Sequence, residues 1–431
     1  MKIGAARVEI TPPAGLPMDG YGARASGALG THDPLHVRAI VAEGDDGVAV
    51  GLVVADLLFV GPRLQAAVAA RVLASTGISR DRLQLVGTHT HSGPAFDEWS
   101  AEEDVVGGRI ADAVNEAWSR RRRARAAIGT GEVHGIGANR RPKGGPVDHR
   151  VMVARFDDEA GRPIATLVNY GCHPTTLGPD NLLYSADYPG VACRLLDEAI
   201  GGVTVFTTGP QGDVNPGGYS PEGSMIGIVV AWRTFESAER YGRLVADCAA
   251  AVHVGLRPSD TAEDGIWGAG ATLELARKDL PDAAAAREAV ALAGAAERAI
   301  RAAALSEDAV YHAAAATAYA DLLAVQAADP ERNGPVRLRI SALGIGPVVH
   351  IGIQGELFVA LGQRIRARLD PARTCIAVLC DGTVGYIPTA AAFAEGGYEP
   401  NASVLRPGEG ERLVDAVVAL VRGAAAPSPV R

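Results

Sequence analysis

Aromatic residues and cysteines are scarce in this sequence. Phe, Trp and Tyr make up 5% of the 431 residues, so few aromatic side chains are present to enclose a long aliphatic ligand. The 5 cysteines are odd in number, and no two have the C-x-x-C spacing of a zinc ribbon. We therefore expect buried, reduced thiols in a cytoplasmic protein, without a disulfide framework or a cysteine-ligated metal.

Long apolar segments and excess positive charge are also absent. The most apolar stretch, residues 48–60, is interrupted by Asp56 and is shorter than the roughly 20 residues that span a bilayer. Residues 1–15 lack the apolar core of a signal peptide. The sequence thus predicts a cytoplasmic protein without a transmembrane segment. With 41 Lys and Arg against 50 Asp and Glu, the net charge of -9 would repel a phosphate backbone, which argues against a nucleic-acid partner.

Three segments of the chain share one layout, which predicts an α/β fold with mixed sheets flanked by helices. Each has an apolar strand-like run, an amphipathic helical stretch and a second apolar run that ends in polar residues. The polar residues at the ends of these runs are Asp56, His89, His91, His173, Asp213, Glu356 and Tyr386. Because α/β sheets place their sites at the carboxyl ends of strands, we expect these side chains to converge in one cleft.

An alanine-rich segment, residues 283–328, interrupts this pattern and predicts an inserted helical hairpin. Asp282 and Ser306 are suited to cap its two helices, and Asp329-Pro330 would end the second one. We expect the hairpin to lie at the surface or over the mouth of the site. The sequence leaves open whether it is a lid.

Two histidines follow an apolar run in the segment THTH at residues 88–91. Residues two apart in an extended segment share a face, so His89 and His91 can address one centre. This spacing favours a metal or acid–base site over a packed core histidine. His173 follows a second strand-like run and adds a third imidazole.

A catalytic zinc site combines imidazoles with a carboxylate and leaves one position for water. Asp56, Asp213 and Glu356 all qualify as that carboxylate by their position after a strand-like run. Each could instead cap a helix N-terminus, and spacing alone does not choose among them.

Several motifs add to this pattern by their order and spacing. They are GAARVEIT at 4–11, MDGYG at 18–22, HTHSGP at 89–94, NYGCHPT at 169–175, GDV-x-P at 212–216 and Gly355-Glu356. Together they closely resemble the catalytic domain of the neutral/alkaline ceramidase family. The resemblance covers most of the chain and is weakest across the alanine-rich hairpin. It implies a zinc-dependent amidase that cleaves the N-acyl bond of ceramides.

The resemblance also implies roles for individual residues. The zinc ligands that it implies are His89, His173, Glu356 and Tyr386. His91 would be the histidine beside the metal that moves a proton from water to the leaving amine. It also matches Arg140 to a substrate-facing arginine and Tyr398 to the tyrosine shortly after the ligand tyrosine. Our mechanistic hypothesis is that Arg140 and Tyr398 donate to the oxyanion and that Asp213 holds a ligand histidine in its tautomer.

The sequence departs from the family pattern in ways that bear on the substrate. Asn215 stands where the family usually has a serine after GDV; it cannot be a nucleophile, so we expect it to orient the substrate or donate to the oxyanion. We expect one catalytic domain over residues 1–423, a tail at 424–431 and no C-terminal immunoglobulin-like domain. These departures, and an Arg140 loop suited to an anionic group, predict a substrate smaller or more polar than ceramide.

The predicted function is hydrolysis of a carbon–nitrogen amide bond in an N-acyl small molecule by zinc-activated water. The alternatives among enzymes are an esterase, a lactonase or an acyltransferase that uses the same zinc site. The alternative that is not an enzyme is a catalytically silent metabolite-binding homologue. Retention of all the proposed ligands argues against a silent site, because convergent buried polar groups are costly. The sequence leaves a homo-oligomer open.

Overall fold

The computed structural model describes residues 1–24, 26–96, 101–259, 265–331 and 333–425. The strands are β1 (Lys2–Glu9), β2 (Gly30–Thr31), β3 (His36–Glu43), β4 (Ala49–Ala55), β5 (Leu83–Gly87), β6 (Arg122–Glu132), β7 (Gly137–Asn139), β8 (Arg150–Asp158), β9 (Pro163–Tyr170), β10 (Leu183–Tyr184), β11 (Val203–Thr208), β12 (Val214–Pro216), β13 (Ile266–Leu275), β14 (Val336–Ile345), β15 (Val348–Ile353), β16 (Glu356–Leu357), β17 (Thr374–Ala377) and β18 (Tyr386–Ile387). The helices are α1 (Pro62–Thr76), α2 (Ala101–Ser119), α3 (Asp187–Ile200), α4 (Pro221–Met225), α5 (Phe235–Gly255), α6 (Ala283–Ala302), α7 (Glu307–Ala328), α8 (Val359–Arg368), α9 (Ala390–Glu395), α10 (Tyr398–Ala402) and α11 (Glu409–Ala425), with a 3-10 turn at Arg80–Arg82.

The longer strands form two mixed sheets. The larger sheet has 8 strands in the order β11-β9-β8-β6-β1-β3-β4-β5, and the smaller has 4 in the order β13-β14-β15-β17. In these sheets the pairs β4/β5, β9/β11 and β15/β17 are parallel, and the other neighbours are antiparallel. The expected α/β class with mixed sheets and outer helices is confirmed.

The three parallel pairs are the three segments that share one layout in the sequence. The chain passes through α1 between β4 and β5, through α3 between β9 and β11, and through α8 between β15 and β17. Hydrogen bonds join the ends of these units: Gly87 N donates to Leu379 O at 3.3 Å, and Val378 N donates to Thr208 O at 3.0 Å. Thr208 Oγ1 donates to Thr88 O at 2.6 Å. The carboxyl ends of the three pairs therefore meet, as expected.

The larger sheet has a buried core on each face. Successive side chains of a strand point to opposite faces. On β4, Val53 and Ala55 belong to the core under α1 and α2, whereas Leu52 and Val54 belong to the core that includes residues of the smaller sheet. Further cores lie under α3 and α5, and between the smaller sheet and α8 and α11. The layers are thus helices, sheet, sheet and helices, which explains why the strands read as continuous apolar runs.

The alanine-rich segment forms the predicted hairpin of α6 and α7. Asp282 caps α6 by accepting hydrogen bonds from Ala284 N at 2.9 Å and Ala285 N at 2.8 Å. Ser306 caps α7 by accepting from Ala309 N at 3.2 Å. The second helix of the hairpin packs against α4 and α10.

The C-terminal helix α11 extends to Ala425, past the expected start of the tail at residue 424. Residues 426–431 lie outside the described residues, so the tail and the domain boundary at 423 stay predictions. Across the described residues, no helix combines the length and the apolar character needed to cross a membrane.

Candidate active site

Three buried or half-buried histidines converge where β5 and β9 end. His89 and His91 follow β5, and His173 follows β9. The Nε2 atoms of His89 and His91 are 3.2 Å apart. One ring nitrogen from each of the three lies within 4.8 Å of the others. This geometry agrees with the sequence prediction that these imidazoles share one centre.

The tautomers of the three histidines follow from their backbone partners. The partners of the Nδ1 atoms are Leu58 O at 3.1 Å for His89, Gly20 O at 3.1 Å for His91 and Val214 O at 2.9 Å for His173. A carbonyl oxygen only accepts, so each Nδ1 carries the proton, and in the neutral ring the lone pair is on Nε2. Three lone pairs thus point toward one small volume. This donor set suits a cation, and imidazoles oriented by backbone carbonyls are typical of metal sites.

Of the three candidate carboxylates, the structure brings Glu356 to the imidazoles. Its Oε2 atom is 2.9 Å from His173 Nε2 and 3.5 Å from His89 Nε2. Asp56 is paired elsewhere: its Oδ2 accepts from Arg38 Nη1 at 3.0 Å. Sequence spacing could not single out Glu356, which lies in β16, just after strand β15 of the smaller sheet.

Burial and charge set the protonation states of this cluster. Burial and then Arg140 lower the pKa of His173 to about 4. Burial, with His89 and His173 nearby, holds the pKa of His91 well below its ordinary value. Burial alone would raise the pKa of Glu356, but His89 and His173 hold it well below its usual range. At neutral pH the carboxylate of Glu356 is ionised and the rings of His91 and His173 are neutral, which are the forms that bind metals.

Tyr386 lies directly beside Glu356. The two residues are register partners in the short parallel pair β16/β18. The Tyr386 hydroxyl accepts a hydrogen bond from Arg140 Nη2 at 3.1 Å, and its ring is 5.4 Å from that of Tyr398. Burial and the neighbouring Glu356 raise the pKa of Tyr386 well above its ordinary value. Tyr386 is therefore a neighbour of Glu356, and its role as a ligand stays a prediction.

A buried carboxylate that sequence reasoning missed fixes Arg140. Arg140 Nε donates to Glu399 Oε1 at 2.8 Å, and Arg141 Nη1 donates to Glu399 Oε2 at 2.8 Å. Arg140 Nη2 also donates to Gly212 O at 3.0 Å. In the sequence, the one indication of Glu399 was its position directly after Tyr398. Its contact with Arg140 joins distant parts of the chain, which no local pattern predicts.

Asp213 does not orient a ligand histidine, and that prediction is wrong. The Nδ1 atom of His173 is held by the backbone carbonyl of Val214 instead. Asp213 Oδ1 accepts from Val359 N at 2.9 Å, at the first turn of α8, and Oδ2 accepts from Asn139 Nδ2 at 2.8 Å. Burial raises the pKa of Asp213 to about 6. Asp213 thus joins a strand end, a loop and a helix N-terminus.

Asn215 lies behind the loop that borders the site. Its Nδ2 donates to Tyr219 O at 3.0 Å, and its side chain is buried. Among the described residues, neither Asn215 nor Asp213 lines the cavity beside the imidazoles. The geometry therefore gives Asn215 a role in holding the Tyr219 loop, and direct contact with a substrate stays a prediction.

A cavity of about 90 Å³ adjoins the cluster and is bordered by His91, Arg140 and Tyr386. The lining residues that carry a hydroxyl group are Tyr21, Thr175, Tyr219, Ser224, Tyr386 and Tyr398. Three larger cavities among the described residues, of about 530, 580 and 560 Å³, are lined by other residues and lack the convergent imidazoles. The chemistry therefore selects the small cavity as the candidate site.

Gly20 and Arg233 shape this cavity, and the sequence had not singled them out. A Cβ on Gly20 would lie 2.5 Å from the Cβ of His91, and Gly20 has a φ of +102°, so only glycine fits here. Buried Arg233 donates to Thr175 O at 3.1 Å and to Ser224 Oγ at 3.0 Å. The MDGYG motif was the available signal for Gly20, whereas Arg233 had none.

Comparison with known proteins gives the family of this fold and site. Residues 1–217 match the family model described as "Neutral/alkaline non-lysosomal ceramidase, N-terminal". The chain belongs to the neutral/alkaline non-lysosomal ceramidase family. The resemblance read from the motifs is thereby confirmed. The matched range contains His89, His91 and His173, whereas Glu356 and Tyr386 lie beyond it.

Curated relatives and solved structures agree with this family. Neutral ceramidase A of Dictyostelium discoideum is 26% identical over 259 residues, which cover 51% of this chain and 36% of the relative. Neutral ceramidase of Drosophila melanogaster is 25% identical over 265 residues, covering 52% of this chain and 37% of the relative. The chain thus spans little more than a third of the length of these relatives. The structure of neutral ceramidase from Pseudomonas aeruginosa superposes with a TM-score of 0.72 at 18% identity, covering 100% of this chain and 75% of that one.

Proposed function

We propose that this ceramidase-family chain is a zinc-dependent hydrolase that cleaves the carbon–nitrogen amide bond of an N-acyl small molecule. The observation that carries the proposal is the convergence of three Nε2 lone pairs with the Glu356 carboxylate. Each ring is fixed by a backbone carbonyl on Nδ1, so the donor atoms are oriented before any ion binds. Family membership supports amide hydrolysis as the reaction.

The donor set fits zinc, which binds imidazole nitrogens and carboxylate oxygens in this combination. The residues that would hold the ion are His89, His173, Glu356 and Tyr386. When bound, zinc would polarise the substrate carbonyl and lower the pKa of a water molecule. Tyr386 would be the phenolate ligand; burial and Glu356 favour the protonated phenol, so the positive charges of the ion and of Arg140 at its hydroxyl would have to offset them.

His91 would move the protons of the reaction. Its Nδ1–H donates a hydrogen bond to Gly20 O, so the unprotonated Nε2 atom faces the cluster. That atom would accept a proton from the attacking water and deliver it to the leaving nitrogen, which is expelled poorly unless protonated. Asn215 offers no nucleophile in place of water, which favours direct hydrolysis over an acyl-enzyme route.

Arg140 and Tyr398 would stabilise the oxyanion that forms on the carbonyl oxygen. Both border the cavity, and Glu399 holds the Arg140 side chain in place. Burial raises the pKa of Tyr398 to about 12, so its hydroxyl keeps its proton and can donate it in a hydrogen bond. Fixed donors aimed at developing charge are among the largest contributions to such catalysis.

Metal analysis with matched histidine variants tests the site. We expect purified protein to hold about one zinc per chain, lost in His173→Ala and kept in His134→Ala, whose imidazole is 66% exposed and pairs with Glu132. Full zinc content in His173→Ala would refute the ligand set.

Paired amide and ester substrates with the same acyl group then separate the alternatives. Faster amide cleavage supports the proposal, and cleavage confined to esters or lactones points to that alternative chemistry. Acyl transfer to an added amine points to a transferase, and zinc without turnover points to the binding homologue. The N-acylated substrate, the cytoplasmic location and a homo-oligomer stay part of this proposal.

A further inference from the structure

The size of the cavity beside His91 limits what part of a substrate can be enclosed; this inference rests on the proposed function. The cavity holds about 90 Å³. A cavity of about 150 Å³ accommodates the six carbons of benzene, so this one has room for about three to four non-hydrogen atoms. Typical sites for larger ligands measure about 300–1,000 Å³.

The hairpin of α6 and α7 fixes one side of this cavity through α4. The Tyr319 hydroxyl donates to Glu222 Oε1 at 2.6 Å, and the Tyr311 hydroxyl is 3.1 Å from Ser220 Oγ. Ser220 Oγ also donates to Glu222 Oε2 at 2.5 Å. These contacts tie α7 to the segment that carries Tyr219, Pro221, Ser224 and Met225.

The same helix fixes the opposite side through α10, which begins at Tyr398. Gln326 Nε2 donates to Ala402 O at 2.8 Å, so the end of α7 is bonded to the end of α10. Gln326 Nε2 also lies 3.4 Å from Asn401 O, the residue before Ala402. The hairpin therefore bridges the two walls between which an acyl group would lie.

We propose that the α6–α7 hairpin holds these walls together and restricts the site to N-acyl amines with short acyl chains of about two to four carbons. Lengthening the chain would require α4 and α10 to separate. Separation breaks the bonds of Tyr319 and Gln326 to the walls. The hairpin thus acts as a brace that sets chain length.

A series of N-acylethanolamines with acyl chains from acetyl to palmitoyl tests this inference. Released ethanolamine is measured by fluorescamine labelling, with the same detergent concentration in every assay. We expect kcat/KM to be highest for acyl chains of about two to four carbons and to fall about tenfold or more by octanoyl. Cleavage that is fastest for palmitoyl would overturn the inference and leave the proposed hydrolase intact. No cleavage of any member by zinc-loaded protein would refute the proposed function itself.

Variants of the hairpin test whether it sets the preferred length of the acyl chain. In Tyr311→Phe/Tyr319→Phe the contacts with α4 are lost, and we expect the octanoyl-to-acetyl ratio of kcat/KM to rise by about fivefold to tenfold. The control is Arg301→Gln on α6, whose partner Glu297 lies in the same helix at 2.7 Å. A ratio that is unchanged in the double variant, or that rises equally in the control, would overturn the role of the hairpin.

Discussion

His173 Nε2 lies 2.9 Å from Glu356 Oε2, although 183 positions separate the two residues in the chain. His173 follows β9 of the larger sheet, and Glu356 lies just after β15 of the smaller one. The candidate centre therefore depends on the packing of the two sheets against each other. Neither sheet alone provides the full set of proposed ligands.

Glu356→Gln should remove the anionic member of this set. Loss of an outer-shell partner alone weakens metal binding by about 10- to 100-fold, so we expect zinc affinity to fall by more than about 100-fold. Competition with a chromophoric chelator measures the change. Glu132→Gln is the control, because its carboxylate is 64% exposed and pairs with His134. Equal affinities in the two variants would contradict the assignment.

Glu399→Gln should destabilise the protein because it leaves two buried guanidinium groups without their shared carboxylate. Removing one partner of a buried ion pair costs about 3–5 kcal/mol, so we expect that loss in the free energy of unfolding measured with urea. Activity should fall too, since Arg140 loses the partner of its Nε atom. Glu395→Gln is the matched control: Glu395 is 3.6 Å from Arg141 and 29% exposed, and its loss should cost less than about 1 kcal/mol. Similar losses in both variants would refute this account.

His350 should make the protein sensitive to acid. It is fully buried in β15, and burial lowers its pKa to about 3. Because the folded-state pKa lies below the unfolded value of about 6.5, its contribution to stability is complete above pH 6.5 and is lost as pH falls toward 3. The contribution lost between pH 7 and pH 5 is about 2 kcal/mol.

His350→Gln isolates this contribution. The variant pays a packing cost at every pH, so the informative quantity is how its difference from the wild type in unfolding free energy changes with pH. That difference should move in favour of the variant by about 2 kcal/mol between pH 7 and pH 5. His134→Gln makes the same substitution at an exposed position and serves as the control. A difference for His350→Gln that does not change with pH would contradict the prediction.

Gly20→Ala should impair catalysis while leaving the zinc in place. The added Cβ would lie 2.5 Å from the Cβ of His91, and the positive φ adds strain. A displacement of about 1 Å in a reacting group can lower the rate about 100-fold, and we expect a fall in kcat of that order. In Gly423→Ala, on α11 and outside the lining of the cavity, nothing lies within 4 Å of the new Cβ, so this variant should retain activity. Wild-type kcat in Gly20→Ala would argue against proton transfer by His91.

The sequence was most informative where chemistry and local pattern coincide. The alternation of strand-like and helical runs predicted β4, β5, β9, β11, β15 and β17, and the spacing of His89 and His91 predicted a shared centre. Asp282 and Ser306 indicated where the two helices of the hairpin begin, because helix capping is a local interaction. Such features need only a few neighbouring residues.

Contacts between distant segments were beyond the sequence. The partner of Arg140 is 259 positions away, and nothing local to Glu399 distinguishes it from a solvated helix residue. The strand order of the larger sheet depends on the same long-range packing. Asp213 was misjudged for this reason, since a carboxylate at a strand end can reach a histidine or, as here, the first turn of α8.

The two-sheet origin of the site links metal binding to the mechanical integrity of the fold. Two of the proposed ligands, His89 and His173, follow strands of the larger sheet, whereas Glu356 and Tyr386 lie in the short pair β16/β18, whose strands come after β15 and β17 of the smaller sheet in the chain. A bound ion would act as a cross-link between the two halves of the protein. At a thousandfold excess over its dissociation constant, such a ligand adds about 4 kcal/mol to the free energy of unfolding. Removing the ion with a chelator would then weaken the packing between the two sheets and lower the melting temperature. It would also remove the catalytic group.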